Sequence, residues 1–204
     1  MLDNDDMSNA VTRRRALSEQ TRGEILEAAR ESFGALGYEA ASIGVIAKAA
    51  RVTSGALYHH FSDKQALFAA VAEKIEADLM AELVKAGEGA ADPWAQLEGA
   101  ALYALDHLMD DRLRRIVLVD APKVLGASAW RAIQMRYGLG MATAAMTALS
   151  AAGQARTADP ALSAQMLLAA LFQGAEAAAI ADDPKAALER VRHDLLILMR
   201  AYRA

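Results

Sequence analysis

Between Ser42 and Lys64 the chain gathers Ser42, Arg51, Thr53, Ser54, Gly55, Tyr58, His59, His60 and Lys64. Hydroxyls, imidazoles and cations are the donors a phosphate group needs, and a glycine lets backbone approach it closely. If Ser54 opens a helix, the free N–H groups of its first turn add further donors for an anion. His59 and His60 could instead be read as a metal pair. Adjacent helical residues point about 100° apart and do not easily share one ion, so phosphate contact by one and solvent exposure of the other is the better reading. With no cysteine in the chain, thiolate zinc sites and cysteine nucleophiles are excluded. No metal ligand set and no cofactor are expected.

Three helices would have to position these residues. From Ser18, Ile25, Ala29, Phe33 and Leu36 recur on one helical face, and Gly37 is a natural stop. Ser42 reads as the cap of a short helix with Ile43, Ile46, Ala47 and Ala50 inward. After Arg51-Val52-Thr53 comes a second short helix, Ser54 to about Phe61. Tyr58 could pack or stay free, whereas Phe61 is core. Ser62 then caps a long helix carrying Leu67, Phe68, Val71, Ile75 and Leu79. Two short helices across a tight turn, Ser42–Ala50 and Ser54–Phe61, form a helix-turn-helix, whose second helix enters the DNA major groove.

The segments Ile25-Leu26-Glu27-Ala28-Ala29, Phe33, Gly37-Tyr38, Ser42-Ile43, Ile46-Ala47, Val52-Thr53, Gly55 to Phe61, Lys64 and Leu67 together resemble the DNA-binding domain of the tetracycline-repressor (TetR) family over about residues 18–70. Arg115-Ile116, Asp120-Ala121-Pro122, Leu125-Gly126 and Trp130-Arg131 are similar to one C-terminal subtype of that family. The resemblance implies an all-α homodimeric repressor. Its N-terminal helices would hold a palindromic operator in double-stranded DNA, and a small-molecule effector bound by its C-terminal helices would release it. It further implies that Ser42, Thr53, Tyr58, His60 and Lys64 contact phosphates, that Gly55 and Tyr58 lie nearest the bases, and that Arg13, Arg14 and Arg15 lie near the minor groove. Arg51 departs from the family pattern, which has glycine at a turn position of positive φ. Either the turn differs, or the strain is offset by a phosphate contact of the arginine.

The expected organisation is a mobile arm over 1–17, a DNA-binding domain over 18–64, and an effector-binding and dimerisation domain over 65–204. Met7 is an alternative start. Beyond Gly87 the pattern is helical, at about 93–109, 111–121, 127–152, 159–181 and 184–203, with Pro122 as a stop. Asp159-Pro160 and Asp183-Pro184 read as a cap followed by a first-turn proline. Pocket candidates are Tyr103, His107, Trp130, Gln134, Met135, Tyr137, Met141 and Gln173, with methionines suited to an adaptable apolar site. Asp106 and Asp110 could favour a cationic ligand or simply face solvent. The last two helices are rich in small residues and apolar around much of their girth. Taken with the homodimer that the resemblance implies, that places a two-fold interface on Met166, Ala170, Gly174, Ala177, Leu188, Leu195 and Met199; the alternative is that these helices only close the core of the protomer.

The 204 residues are 54% hydrophobic and 5% aromatic, which excludes wholesale disorder and favours helix over sheet. The formal charge is −4, yet residues 11–64 hold eight Lys and Arg against six Asp and Glu, the only net basic part of the chain. No Gly-x-Ser-x-Gly or His-Glu-x-x-His occurs, and no histidine follows a glutamate by three, so hydrolase, zincin and di-iron carboxylate readings fail and no enzyme is expected. No membrane span or secretory leader is visible, which implies a cytoplasmic protein. The alternative, an all-helical interaction or ligand-binding module without DNA regulation, leaves the phosphate-binding set unexplained.

Overall fold

The computed structural model describes residues 4–87 and 92–204, with side chains over 12–85 and 92–204. It divides into two compact units, one ending at Val71 and one beginning at Ala72. The boundary thus falls seven residues beyond Lys64, inside a helix and not at its start.

The first unit contains α1 (Asn4–Leu36), α2 (Ile43–Ala49), α3 (Ser54–His60) and the first two turns of α4 (Lys64–Gly87). Helix α1 begins well before Ser18, so the expected arm is continuous with the helix. The apolar repeat marks only the part of α1 that packs. Ala10, Ala16 and Leu17 sit among arginines with good helix propensity of their own. Ile25, Leu26, Ala29 and Phe33 are buried, whereas Leu36 is 54% exposed. Leu36 lies in the last turn, where Gly37 takes φ 82° and its N–H bonds back to the Phe33 carbonyl at 2.8 Å. Phe33, Tyr38 and Phe68 form an aromatic triangle with ring centroids 5.1–5.9 Å apart, a geometry worth more than the buried area alone. Helix α4 is capped by Asp63 and not by Ser62. The Asp63 carboxylate accepts from the Ala66 N–H at 2.7 Å, and Ser62 Oγ donates to that carboxylate at 3.2 Å. A carboxylate both satisfies the free N–H and complements the helix dipole, so it wins over the hydroxyl.

The second unit contains the rest of α4, then α5 (Pro93–His107), α6 (Asp111–Arg114), a π-helical turn (Arg115–Asp120), α7 (Ala121–Leu125), α8 (Ala127–Arg136), α9 (Gly138–Ala151), α10 (Pro160–Ala179) and α11 (Pro184–Ala201). Asp92, Asp110, Asp159 and Asp183 cap α5, α6, α10 and α11 through their side chains. Two sequence expectations give way. Pro122 opens α7 instead of ending a helix, because a proline costs nothing at a first turn. The single helix expected over 127–152 breaks at Tyr137, which leaves helical geometry at φ −117°, ψ −112°. The break brings the Met135 carbonyl against Gly140, where any Cβ would collide with it. Trp94 anchors a core with Leu139, Met146, Leu149 and Ala164, its indole N–H donating to the Gln154 carbonyl at 3.0 Å. Gly174 lets α10 close on α11, since a Cβ there would lie 2.5 Å from Val191 Cγ1.

The cap reassignment is testable by urea unfolding. Asp63→Ala is expected to lower stability by about 1 kcal/mol, and Ser62→Ala by clearly less; equal losses would return the cap to Ser62.

Candidate nucleic-acid interface and effector cavity

The α2–α3 turn closes through the Arg51 N–H to the Lys48 carbonyl (3.1 Å) and the Val52 N–H to the Ala47 carbonyl (3.0 Å). Closing it this tightly puts Arg51 in the left-handed region at φ 58°, the only described non-glycine residue with positive φ. The turn therefore has the shape glycine would adopt, and the strain is real, about 1–2 kcal/mol. The Arg51 side chain is exposed.

Thr53 caps α3, its Oγ1 accepting from the Ala56 N–H at 3.1 Å, which leaves its own proton to donate. Ser42 stands at the cap position of α2 but makes no side-chain cap bond, so its exposed hydroxyl is not spent on the helix. On α3, Leu57 is buried, as is Phe61 just beyond it, and His60 is half-buried. Ser54, Gly55, Tyr58 and His59 are exposed, Tyr58 to 51%. Positions 54 and 58, and 55 and 59, neighbour each other at helical spacing, so these four share the outward face. A Cβ at Gly55 would touch nothing nearer than Thr53 Oγ1 at 3.9 Å. The fold itself does not demand glycine there; the bare backbone leaves room for something outside the protein. Lys64 is more constrained than its type suggests. Its Nζ donates to the Glu39 carbonyl at 3.1 Å and lies 4.4 Å from the Tyr38 ring centre. Arg13, Arg14 and Arg15 are exposed on α1, Arg15 lying 3.3 Å from Glu19.

The second unit encloses an apolar cavity of about 250 Å³. Of the pocket candidates, His107, Gln134 and Met141 line it. The others do not, and each has a visible reason. Trp130 is buried elsewhere in the unit. Tyr103 is 38% exposed and donates to Glu82, and Met135 is 42% exposed. Tyr137 turns its hydroxyl to Glu73, and Gln173 sits outside beside Glu176. Sequence reasoning missed the wall supplied by α4, namely Ile75, Glu76, Leu79, Met80 and Leu83, along with Arg131, Phe172, Leu195 and Met199. The available signal was Glu76, an acid inside the apolar arc of Ile75 and Leu79. Asp106 pairs with Arg192, Asp110 caps α6, and neither lines the cavity.

Leu195 and Met199 are 3% and 2% exposed. With Gly174 packed on Val191, these three serve the interior of the protomer and not an outer face. Ala170 and Leu188 are half-buried, and Met166 and Ala177 are exposed. Together with Leu162 and Ile180, exposed to 52% and 80%, the last two make an outer apolar row along α10. The α11 residues Ile197 and Leu198, 54% and 48% exposed, add to the apolar surface. Among the described residues no helix is long and apolar enough to cross a membrane, and no group of three acidic or histidine ligands is poised for a metal.

A helix-turn-helix unit followed by a helical unit with an internal cavity defines a class of ligand-sensing DNA-binding protein. Residues 25–71 match the family of bacterial regulatory proteins of the tetR type, and residues 94–202 match a tetracyclin repressor-like C-terminal domain. The chain belongs to the tetR family of transcriptional regulators, which are not enzymes. It is 34% identical over 102 residues to the HTH-type transcriptional regulator AcrR of Shigella flexneri, covering 50% of this chain and 47% of that one. It is 45% identical over 64 residues to the HTH-type transcriptional repressor AcnR of Corynebacterium glutamicum, covering 31% and 34%. The chain thus spans half or less of the length of these curated relatives. A crystal structure of a TetR-family regulator from Pectobacterium atrosepticum superposes with a TM-score of 0.75 at 31% identity, covering 93% of this chain and 97% of that one.

Burial pushes the Glu76 carboxyl up from 4.5 to about 7. Between those values the folded state keeps a proton that the unfolded chain has released. The stability this confers is complete below about pH 4.5 and is lost as pH rises towards 7. Glu76→Gln is therefore expected to be nearly neutral at pH 4.5 and stabilising at pH 8, by up to roughly 3 kcal/mol. Urea titrations at the two pH values check this, and a pH-independent difference would contradict it.

Proposed function

We propose that the chain is a cytoplasmic transcriptional repressor that binds a palindromic operator as a homodimer and is released when a small molecule fills the cavity of its second unit. The observation that carries the reading is α4. One helix contributes Leu67, Phe68 and Val71 to the core of the DNA-binding unit and Ile75, Glu76, Leu79 and Met80 to the cavity wall. A ligand that prefers one setting of α4 then biases the DNA-binding unit, and a differential affinity of about 1–3 kcal/mol changes occupancy five- to 150-fold.

In this reading Thr53, Ser54, Tyr58 and His59 meet the duplex, with Gly55 giving the backbone room to approach. Ser42 donates to a phosphate with its unspent hydroxyl. Arg51 offsets the strain of its turn with a phosphate contact. His60, half-buried beside Phe61, and Lys64, held on the Glu39 carbonyl, act at the edge of the interface. Arg13, Arg14 and Arg15 reach DNA from a helix and not from a loose arm. The outer row Leu162, Met166, Ala177 and Ile180 forms the two-fold interface, which buries side chains that would otherwise face water.

Genomic fragments retained by the protein, assayed by fluorescence anisotropy, test the DNA arm. Arg51→Gly is expected to keep or raise stability, by up to about 1 kcal/mol, while weakening binding and lowering the salt slope by roughly one. Tyr58→Phe should also weaken binding without unfolding. Unchanged affinity and slope for both variants would remove this face from the interface. For assembly, Met166→Glu and Ile180→Glu are expected to give folded monomers in sedimentation. Leu195→Glu should instead unfold the protomer, because it buries an unpaired charge. Dimers persisting in both surface variants would contradict the α10 interface.

A further inference from the structure

Glu73 and Glu76 stand three residues apart on α4, and the structure treats them differently. Glu73 pairs with Arg136 and accepts from the Tyr137 hydroxyl at 3.3 Å. Glu76 is 7% exposed, lines the cavity, and has no hydrogen bond or ion pair with any described residue. Its Oε2 lies 3.6 Å from where a Cβ of Gly138 would stand, an ordinary contact distance, so the carboxyl sits against the α8–α9 break. Two other ionisable groups line the cavity, Arg131 and His107. Arg131 donates to Gln165 Oε1 at 2.9 Å, and His107 stacks on Tyr103 with ring centres 5.9 Å apart. The remaining wall is mostly Leu, Met, Ala and Phe side chains.

A carboxyl withdrawn from water without a partner is costly, and proteins keep such groups only where something else repays the desolvation. We propose that the cavity takes an organic monocation, an apolar body bearing one protonated amine that pairs with Glu76. The proposal rests on the reading of the cavity as the effector site. Against an ionised Glu76 an anionic ligand would set two like charges together in a site of low dielectric. A neutral ligand would forgo the charge-assisted bond, which is about twice as strong as a neutral one. An amine satisfies the carboxyl, and its hydrocarbon remainder meets the methionine and leucine wall, whose adaptable side chains fit bodies of varied shape.

Three probes of nearly equal shape separate the chemistries: 4-phenylbutylamine, 4-phenylbutanol and 4-phenylbutyrate, titrated calorimetrically into the full chain and into Glu76→Gln. In the parent protein the amine is expected to bind at least about tenfold tighter than the alcohol, with the acid weakest. In Glu76→Gln the amine should fall to the level of the alcohol, while alcohol binding persists. That change in the amine-to-alcohol ratio is one a merely structural role of Glu76 would not produce. Equal binding of amine and alcohol to the parent, tighter binding of the acid, or an amine preference surviving in Glu76→Gln would each overturn the proposal while leaving the cavity as the ligand site. Absence of binding by all three would overturn both.

Discussion

Helix α4 must satisfy two interiors at once, and much else in the protein follows from that constraint. Its first turns bury Leu67, Phe68 and Val71 in the helix-turn-helix unit, and its later turns bury Ala72, Ile75 and Glu76 in the cavity-bearing unit. Buried positions run without a break through the division at Val71. Phe68 is also one side of the aromatic triangle with Phe33 and Tyr38, and the Tyr38 ring in turn carries the Lys64 ammonium. A shift of α4 is thus felt by α1, by the Gly37 turn and by the cap at Asp63. Packed cores of this kind move between discrete arrangements and do not deform smoothly.

The geometry of the α2–α3 turn and of α3 is stabilised locally. Thr53 fixes the start of α3, Leu57 and Phe61 pin it to the core, and Arg51 accepts a left-handed backbone so that the turn can be short. Apart from the exposed Arg51, the groups that hold the motif together face inward or form a cap. The groups left over, Ser54, Gly55, Tyr58 and His59, are those that regular packing did not consume. In the second unit the logic is reversed: Glu76 is buried without a partner among the described residues, and it faces the cavity.

Much of this was legible in the sequence because local rules govern it. The short helices Ile43–Ala49 and Ser54–His60 and the caps at Asp159 and Asp183 follow from apolar spacing and cap chemistry within a few residues. What escaped depends on partners distant in the chain. The break between α8 and α9 is a local exception: Gly140, three residues past Tyr137, takes the Met135 carbonyl where any Cβ would collide. Leu195 and Met199 carry the same side chains whether they face a second copy or a cavity, and only the packing of α11 sends them inward. The cavity wall on α4 was missed because a helix with a continuous apolar stripe reads as core, and one acid among those residues reads as surface.

The central claim is that ligand in the second unit resets α4 and so moves the DNA-reading helices of the dimer. The chain has no cysteine, so Ser54→Cys gives one spin-label site per protomer. The most direct measurement is the distance between the two labels by pulsed electron resonance, on operator DNA and after release by ligand. Reading one face of B-DNA places the α3 helices about 34–36 Å apart, one helical turn. The account predicts a single narrow distance population on DNA, which lengthens when the ligand releases it. Release with the distance and its spread unchanged would contradict the account.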